Sequence, residues 1–202
     1  MEELIRNPKQ KRAIEKKERI IKAGFELICK NGYYNTNTAE IAKEAGVSTG
    51  IVYQYFKDKH DILIDGLYKY GEEIFFPMLK INNIVFEKDK FDIFMKETIK
   101  EYVKNHKLSK IAHEEIISMV HSDKEVAKYY YEKELEMTSK IKELLLNNNF
   151  KDNYLSEKVH ITLGLIDNLC HEIIYHKHEE MDYDEMTNIV INTIKNIYKN
   201  DL

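Results

Sequence analysis

The chain has 202 residues, a formal net charge of −4, 43% hydrophobic and 33% charged residues, and only 7 Gly and 2 Pro. That balance gives one large domain or two small ones, long enough to bury a pocket, and excludes a disordered chain or one built from many tight turns; the composition reads as all-helical. No stretch approaches the roughly 20 apolar residues of a membrane span, and the charged first 20 residues lack the apolar run of a secretory signal, so a cytoplasmic location is expected. Cys29 and Cys170 have neither CxxC nor Cys/His ligand spacing and read as buried thiols.

Charge is unevenly placed. Residues 1–60 sum to +4 and residues 61–202 to −8, and all three arginines, Arg6, Arg12 and Arg19, stand in the first 19 residues beside Lys9, Lys11, Lys16 and Lys17. A positive leading segment can release counterions from nucleic acid. A solvated, lysine-rich helix start has the same composition, so the motif that follows has to decide.

From Lys16 to Lys30, the residues Ile20, Ala23, Gly24, Leu27 and Ile28 recur at helical spacing, and Asn31-Gly32 supplies a stop. Asn37, three residues before Glu40, predicts a capping box that opens a short second helix with Ile41, Ala42 and Ala45, ended by Gly46. Ser48 is a good N-cap for a third short helix whose Val52 and Phe56 face inward, and Asp58 caps a fourth. Two short helices joined by a glycine-containing turn meet the requirement of a helix-turn-helix. The major groove admits one helix, whose first turn must approach base edges closely. Ser48, Thr49 and Gly50 suit that approach, Tyr53, Gln54 and Tyr55 can reach phosphates or base edges, and Lys59 offers a phosphate contact. The start of the second helix adds Thr36, Asn37 and Thr38, where free backbone N–H groups meet phosphate. The competing reading is a three-helix packing unit in which Tyr53 and Tyr55 are only amphipathic surface residues.

The stretch Gly32-Tyr33, Thr36, Ile41-Ala42, Ala45-Gly46-Val47-Ser48, Gly50, Tyr53, Phe56, Lys59 and Leu63 resembles the N-terminal signature of the TetR family of transcriptional regulators, over roughly residues 18 to 65. Asn37 stands where that family often has Ser or Thr and caps equally well. The resemblance implies a regulator, usually a repressor, that binds double-stranded operator DNA as a homodimer. It also implies a small-molecule effector among the middle helices that alters the spacing of the recognition helices. The remaining three quarters of the chain resemble the family only in length and helical character.

Beyond Tyr70 the pattern stays helical, with Pro77 limiting or kinking the fourth helix. Phe91, Phe94, Met95, Thr98, Ile99 and Tyr102 form one stripe, and Ile111, Ala112, Ile116, Met119 and Val120 another. Ser122 and Glu125 predict a capping box for a long helix through Val126, Tyr129, Tyr130, Met137, Ile141 and Leu144, broken at Asn147. Lys133 and Glu134 interrupt its apolar stripe, read as a solvent-facing turn or a polar group placed in a pocket. Phe75, Met78, Phe94, Met95, Tyr102, Met119 and Tyr130 are the candidate ligand-binding residues, each also readable as ordinary core. Two final helices follow, the second opened by Asp182 and Glu185. Ile161, Leu165 and Leu169 give the first of them a surplus apolar face, so Leu165, Leu169, Ile173, Val190, Ile194 and Ile197 are the candidate dimer interface, against burial of both faces within one chain.

Catalytic signatures fail. His113-Glu114 and His171-Glu172 begin like HExxH, but Ile117 and Tyr175 stand where the second imidazole belongs. Glu172 and His176 have a metal-ligand spacing, yet histidines near a helix C-terminus are accounted for by the helix dipole, and neither phosphate-loop motif occurs. The expectation is therefore an all-α, non-enzymatic regulator of about nine helices with no metal or cofactor. Residues 1–60 form a three-helix DNA-binding module with a basic extension, and residues 61–202 a ligand-binding and dimerisation domain. The alternative is an all-helical small-molecule-binding protein or enzyme whose N-terminal module only packs.

Overall fold

The computed structural model describes residues 11–75, 87–105, 108–151 and 153–200, and among them it contains nine helices and no strand. Helix α1 is Lys11–Asn31, α2 Thr38–Glu44 and α3 Thr49–Tyr55. Helix α4 runs through Lys59–Gly66, a π-helical stretch Leu67–Gly71 and Glu72–Phe75. Then follow α5 (Phe91–Asn105), α6 (Lys110–Ser122), α7 (Lys124–Asn147), α8 (Leu155–Tyr175) and α9 (Tyr183–Ile197). Arg6 and Lys9 of the basic leader, and Phe76, Pro77 and Met78, lie outside the described residues. No described helix is long and apolar enough to cross a membrane.

The chain packs as two compact units, one from residues 1–76 and 107–133, the other from 77–106 and 134–202. Helices α4 and α6 and the first part of α7 pack with the helix-turn-helix, because contacts and not chain order define a packing unit.

In the first unit the helix ends follow local chemistry. Gly32 (φ 92°) stops α1, its N–H donating to the Ile28 carbonyl at 2.9 Å. The Asn37 side chain accepts from the N–H groups of Ala39 and Glu40, and Glu40 reaches back to the Asn37 N–H, so the expected capping box is present. Asp58 caps α4 from His60 and Asp61. Ser48 occupies the N-cap position of α3, but its hydroxyl makes no capping bond. The core gathers Ile20, Ile21, Ile41, Val52, Phe56 and Ile62, all at most 2% exposed. At Gly24 the helices come close: a Cβ there would lie 2.5 Å from Ile62 Cγ2 and 3.3 Å from Ile41 Cδ1.

Two expectations for α7 are corrected. Its cap is Asp123, which accepts from the N–H groups of Glu125 and Val126, while the Ser122 hydroxyl donates back to the Ser118 carbonyl. A carboxylate one residue nearer the helix is the better acceptor for those N–H groups. Lys133 is not a solvent-facing break either. Its ammonium lies 2.9 Å from a Glu72 carboxylate oxygen on α4, with only 17% of the side chain exposed.

The second unit packs α5, α8 and α9 with the end of α7. Phe91, Met95, Ile99 and Tyr102 of α5 meet Val159, Leu163, Ile166 and Cys170 of α8 and Ile191 and Ile194 of α9, as the apolar stripes predict. Cys29 and Cys170 are buried free thiols. Burial, and then the charge of Glu26 or Asp167 respectively, pushes each up to about 12, so neither is a thiolate at neutral pH.

Candidate nucleic-acid interface

Helix α3 is anchored from one side and open on the other. Val52, Tyr55 and Phe56 are at most 5% exposed, whereas Ser48, Thr49, Gly50, Tyr53 and Gln54 are exposed. Seven residues make two turns, so burying that inner stripe leaves the N-terminal turn and the Tyr53–Gln54 edge facing solvent. A Cβ on Gly50 would have only Ser48 Oγ nearby, at 3.9 Å. The first turn of α3 is thus unobstructed. Gly46, at φ 65°, forms the turn between α2 and α3, with its N–H on the Lys43 carbonyl. Thr38, at the start of α2, joins Tyr53 of α3 through a 2.9 Å hydroxyl contact, and Asn37 beside it is exposed. The structure therefore brings Asn37, Thr38, Ser48, Thr49, Gly50, Tyr53 and Gln54 into one helix-turn-helix unit.

Three other expected residues are placed differently. Thr36 is 1% exposed, and its hydroxyl donates to the Gly32 carbonyl at 2.8 Å, which makes it a turn residue. Tyr55 is 5% exposed and belongs to the core, because it stands three residues after Val52 on the same face. Lys59 donates to the carbonyls of Tyr33 (2.6 Å) and Thr36 (2.9 Å), with its ammonium 4.3 Å from the Tyr33 ring centre. Desolvation lowers its pKa, opposed by the nearby Glu115 charge. Lys59 thus ties the α1–α2 turn and retains one N–H for any phosphate.

Sequence reasoning missed the supports of this turn and of the start of α4. Glu115 of α6 accepts from the Tyr34 N–H at 3.1 Å, and His60 Nε2 meets Asp123 Oδ2 at 2.9 Å. Both pairs are more than 60 residues apart, so no local period signals them. Desolvation pushes the Asp123 carboxyl up, but the bonds from Val126, His60 and Glu125 outweigh it and hold the group below the ordinary aspartate value of 3.8. A folded-state pKa below the unfolded one means stability that is present above the unfolded value and lost as pH falls through the folded one. Asp123→Asn keeps a capping oxygen and removes the charge. Urea titrations are therefore expected to show the wild type more stable by a constant margin above about pH 5, narrowing as pH falls below 3.8. A margin independent of pH would remove the charge from this account.

A metal reading finds one close group among the described residues, Asp58, His60 and Asp61. Each is already engaged: Asp58 caps α4, Asp61 accepts from the Lys57 N–H, and His60 meets Asp123. In the other cluster that spacing singled out, His178 lies 3.7 Å from Glu172, and His171 lies 3.5 Å from Asp167.

Of the expected ligand residues, Met78 lies outside the described residues and the other six are divided between the two units. Phe94 and Met95 line an apolar cavity of about 70 Å³ in the second unit. Tyr102 lies in the same unit, but its hydroxyl donates to Asp167 at 3.1 Å; burial and the Asp167 charge push its pKa up. Phe75 and Tyr130 stack edge to face in the first unit, at 5.4 Å between ring centres, and Met119 is buried there in α6. Helical spacing gives a face and not its neighbour, which is why it did not assign the six to their units. Of the expected dimer residues, Leu169 and Ile194 are 1% exposed and belong to the protomer core. Leu165, Ile173, Val190 and Ile197 remain half-buried, and Ile161 and Ile189 on the same helices are more than half exposed.

Geometry of this kind, a short glycine-turned helix pair carried by an all-helical chain, defines a helix-turn-helix unit. Residues 20–65 match the family of bacterial regulatory proteins, tetR family. The chain is 53% identical over 49 residues to the HTH-type transcriptional regulator HbdR of Aromatoleum sp. (strain CIB), which is 24% of this chain and 21% of that protein. It is 25% identical over 191 residues to the uncharacterized HTH-type transcriptional regulator YerO of Bacillus subtilis (strain 168), covering 91% of this chain and 64% of YerO. The chain thus spans less than two thirds of either relative. A TetR transcription regulator from Haloarcula marismortui shares the fold at a TM-score of 0.64 and 17% identity, over 94% of this chain and 99% of that one. Residues 20–65 thus carry the signature of the tetR family, and the full-length likeness to solved structures is one of fold.

Proposed function

We propose that the protein is a ligand-responsive repressor that binds a palindromic operator as a homodimer and is released by a small apolar or amphipathic molecule. Residues 1–60 read the DNA, and residues 61–202 hold the effector and the dimer contact. The observation that carries this reading is the open outer face of α3, where Ser48, Thr49, Gly50, Tyr53 and Gln54 are exposed while Val52 and Phe56 anchor the helix. The HTH-type regulators among its relatives support the same role. Effector action is a population shift: the molecule binds the DNA-incompetent arrangement more tightly, and that difference in affinity sets how far the operator is released. Leu165, Ile173, Val190 and Ile197, with Ile161 and Ile189, are apolar side chains available to a second copy. Two half-sites on one DNA face require recognition helices about 34–36 Å apart or a multiple of that.

The test is fluorescence anisotropy against the DNA upstream of the protein's own gene, with scrambled competitor and a salt series. Binding that scrambled DNA cannot compete away, and that falls steeply between roughly 50 and 200 mM salt, is expected. Binding without sequence preference at every candidate operator would defeat the reading. Within this assay Thr49→Ala should change the preferred sequence, whereas Tyr53→Ala should weaken all sequences alike. A base-edge contact carries about 1–3 kcal/mol of discrimination, and a phosphate contact carries no sequence information. An unchanged operator preference in Thr49→Ala would take that residue out of direct readout.

A further inference from the structure

The cavity beside Phe94 has a composition that constrains what enters it. Its wall comes from α5, α7, α8, α9 and Phe150, and Thr162 and Tyr198 are the two lining side chains that carry a hydroxyl. Those hydroxyls meet each other, Thr162 Oγ1 donating to Tyr198 at 3.3 Å. No lining side chain bears a charge. The wall is not sealed: Phe94, Ile141, Leu144 and Leu145 are only half-buried.

We infer that this cavity receives the hydrocarbon end of a small molecule, alkyl or aryl, with no charge and no hydrogen-bonding atom on the inserted part. The inference rests on the ligand-responsive reading above and narrows it to a site and a chemical class. Away from the Thr162–Tyr198 pair, a polar atom placed here leaves water and meets only apolar side chains, which disfavours it strongly. Water is a poor occupant for the same reason, since an apolar cavity stays dry. A gap in an otherwise close-packed interior forfeits dispersion contacts along its lining, and a hydrocarbon restores them. The volume of about 70 Å³ is several times the roughly 10–15 Å³ that one water needs on the same measure, so a small hydrocarbon group enters and any polar remainder of the molecule stays outside the half-buried rim.

Toluene is a suitable probe and sodium benzoate its polar counterpart, each added to the full-length protein while thermal unfolding is followed by calorimetry. Toluene should raise the Tm saturably by about 2–4 °C, and benzoate at the same concentration should not. Leu163→Phe, which fills the cavity from α8, should abolish the toluene shift; if that variant fails to fold, Leu145→Phe fills it from the half-buried wall. No toluene shift, an equal shift with benzoate, or a shift that survives filling would overturn the inference. Operator anisotropy on the same samples separates the two readings. A toluene shift lost on filling, with the operator still fully bound, keeps the site and removes its role in DNA release.

Discussion

Gly50→Leu is expected to leave the protein as stable as the wild type and to reduce operator affinity at least tenfold. The fold has room for the new side chain, since the position where its Cβ would stand has only Ser48 Oγ within 4 Å, at 3.9 Å. Replacing glycine inside a helix also removes a propensity penalty of about 0.8–1.0 kcal/mol, so chemical denaturation should show no loss and even a slight gain. The DNA-bound state has no such room, because the first turn of a recognition helix must approach the base edges. Displacing it sacrifices at least one base contact, each worth about 1–3 kcal/mol, and the neighbouring contacts of Thr49 and Tyr53 move with it. Anisotropy and urea titration on one preparation decide the matter. Full operator affinity in a folded Gly50→Leu protein would remove the first turn of α3 from the interface.

Gly24→Ala is expected to do the reverse, destabilising the helix-turn-helix unit through a single methyl group. The new Cβ would stand 2.5 Å from Ile62 Cγ2 on α4 and 3.3 Å from Ile41 Cδ1 on α2, and both neighbours are fully buried branched side chains. Overpacking of this kind costs about 1–3 kcal/mol, a large part of a typical domain's stability. Operator affinity should fall with the folded fraction and recover on addition of a stabilising osmolyte. Ile62→Leu removes the clashing Cγ2, so the double variant Gly24→Ala/Ile62→Leu should regain part of the loss, giving a favourable coupling in a double-mutant cycle. Additive effects would show that Ile62 is not the obstacle. The two glycines thus have opposite roles: Gly24 admits a neighbouring helix, and Gly50 leaves space for a partner from outside.

Much of the DNA-binding unit was legible in the sequence because its information is local. Capping pairs such as Asn37 with Glu40, the stops at Gly32 and Gly46, and the Val52–Phe56 stripe act within about four residues, so residue type and spacing define the elements directly. The same holds for the apolar stripes of α5, α8 and α9. Periodicity then assigned an inward face but not its neighbour, and the errors follow from that. Tyr55 looked available for DNA until its place three residues after Val52 put it in the core. Leu169 and Ile194 looked like dimer residues until the packing of α5, α8 and α9 enclosed them.

What the sequence alone determined is the set of helices, their boundaries to within a few residues, and the identity of the helix-turn-helix. Only the tertiary structure decided that Lys59 ties the α1–α2 turn, that Glu115 braces that turn from α6 while Asp123 at the start of α7 holds His60 of α4, and that the apolar cavity draws on four helices. Local hydrogen bonding and helical periodicity depend on near neighbours, whereas these contacts join residues 23 to more than 80 positions apart and exist only once the helices have packed.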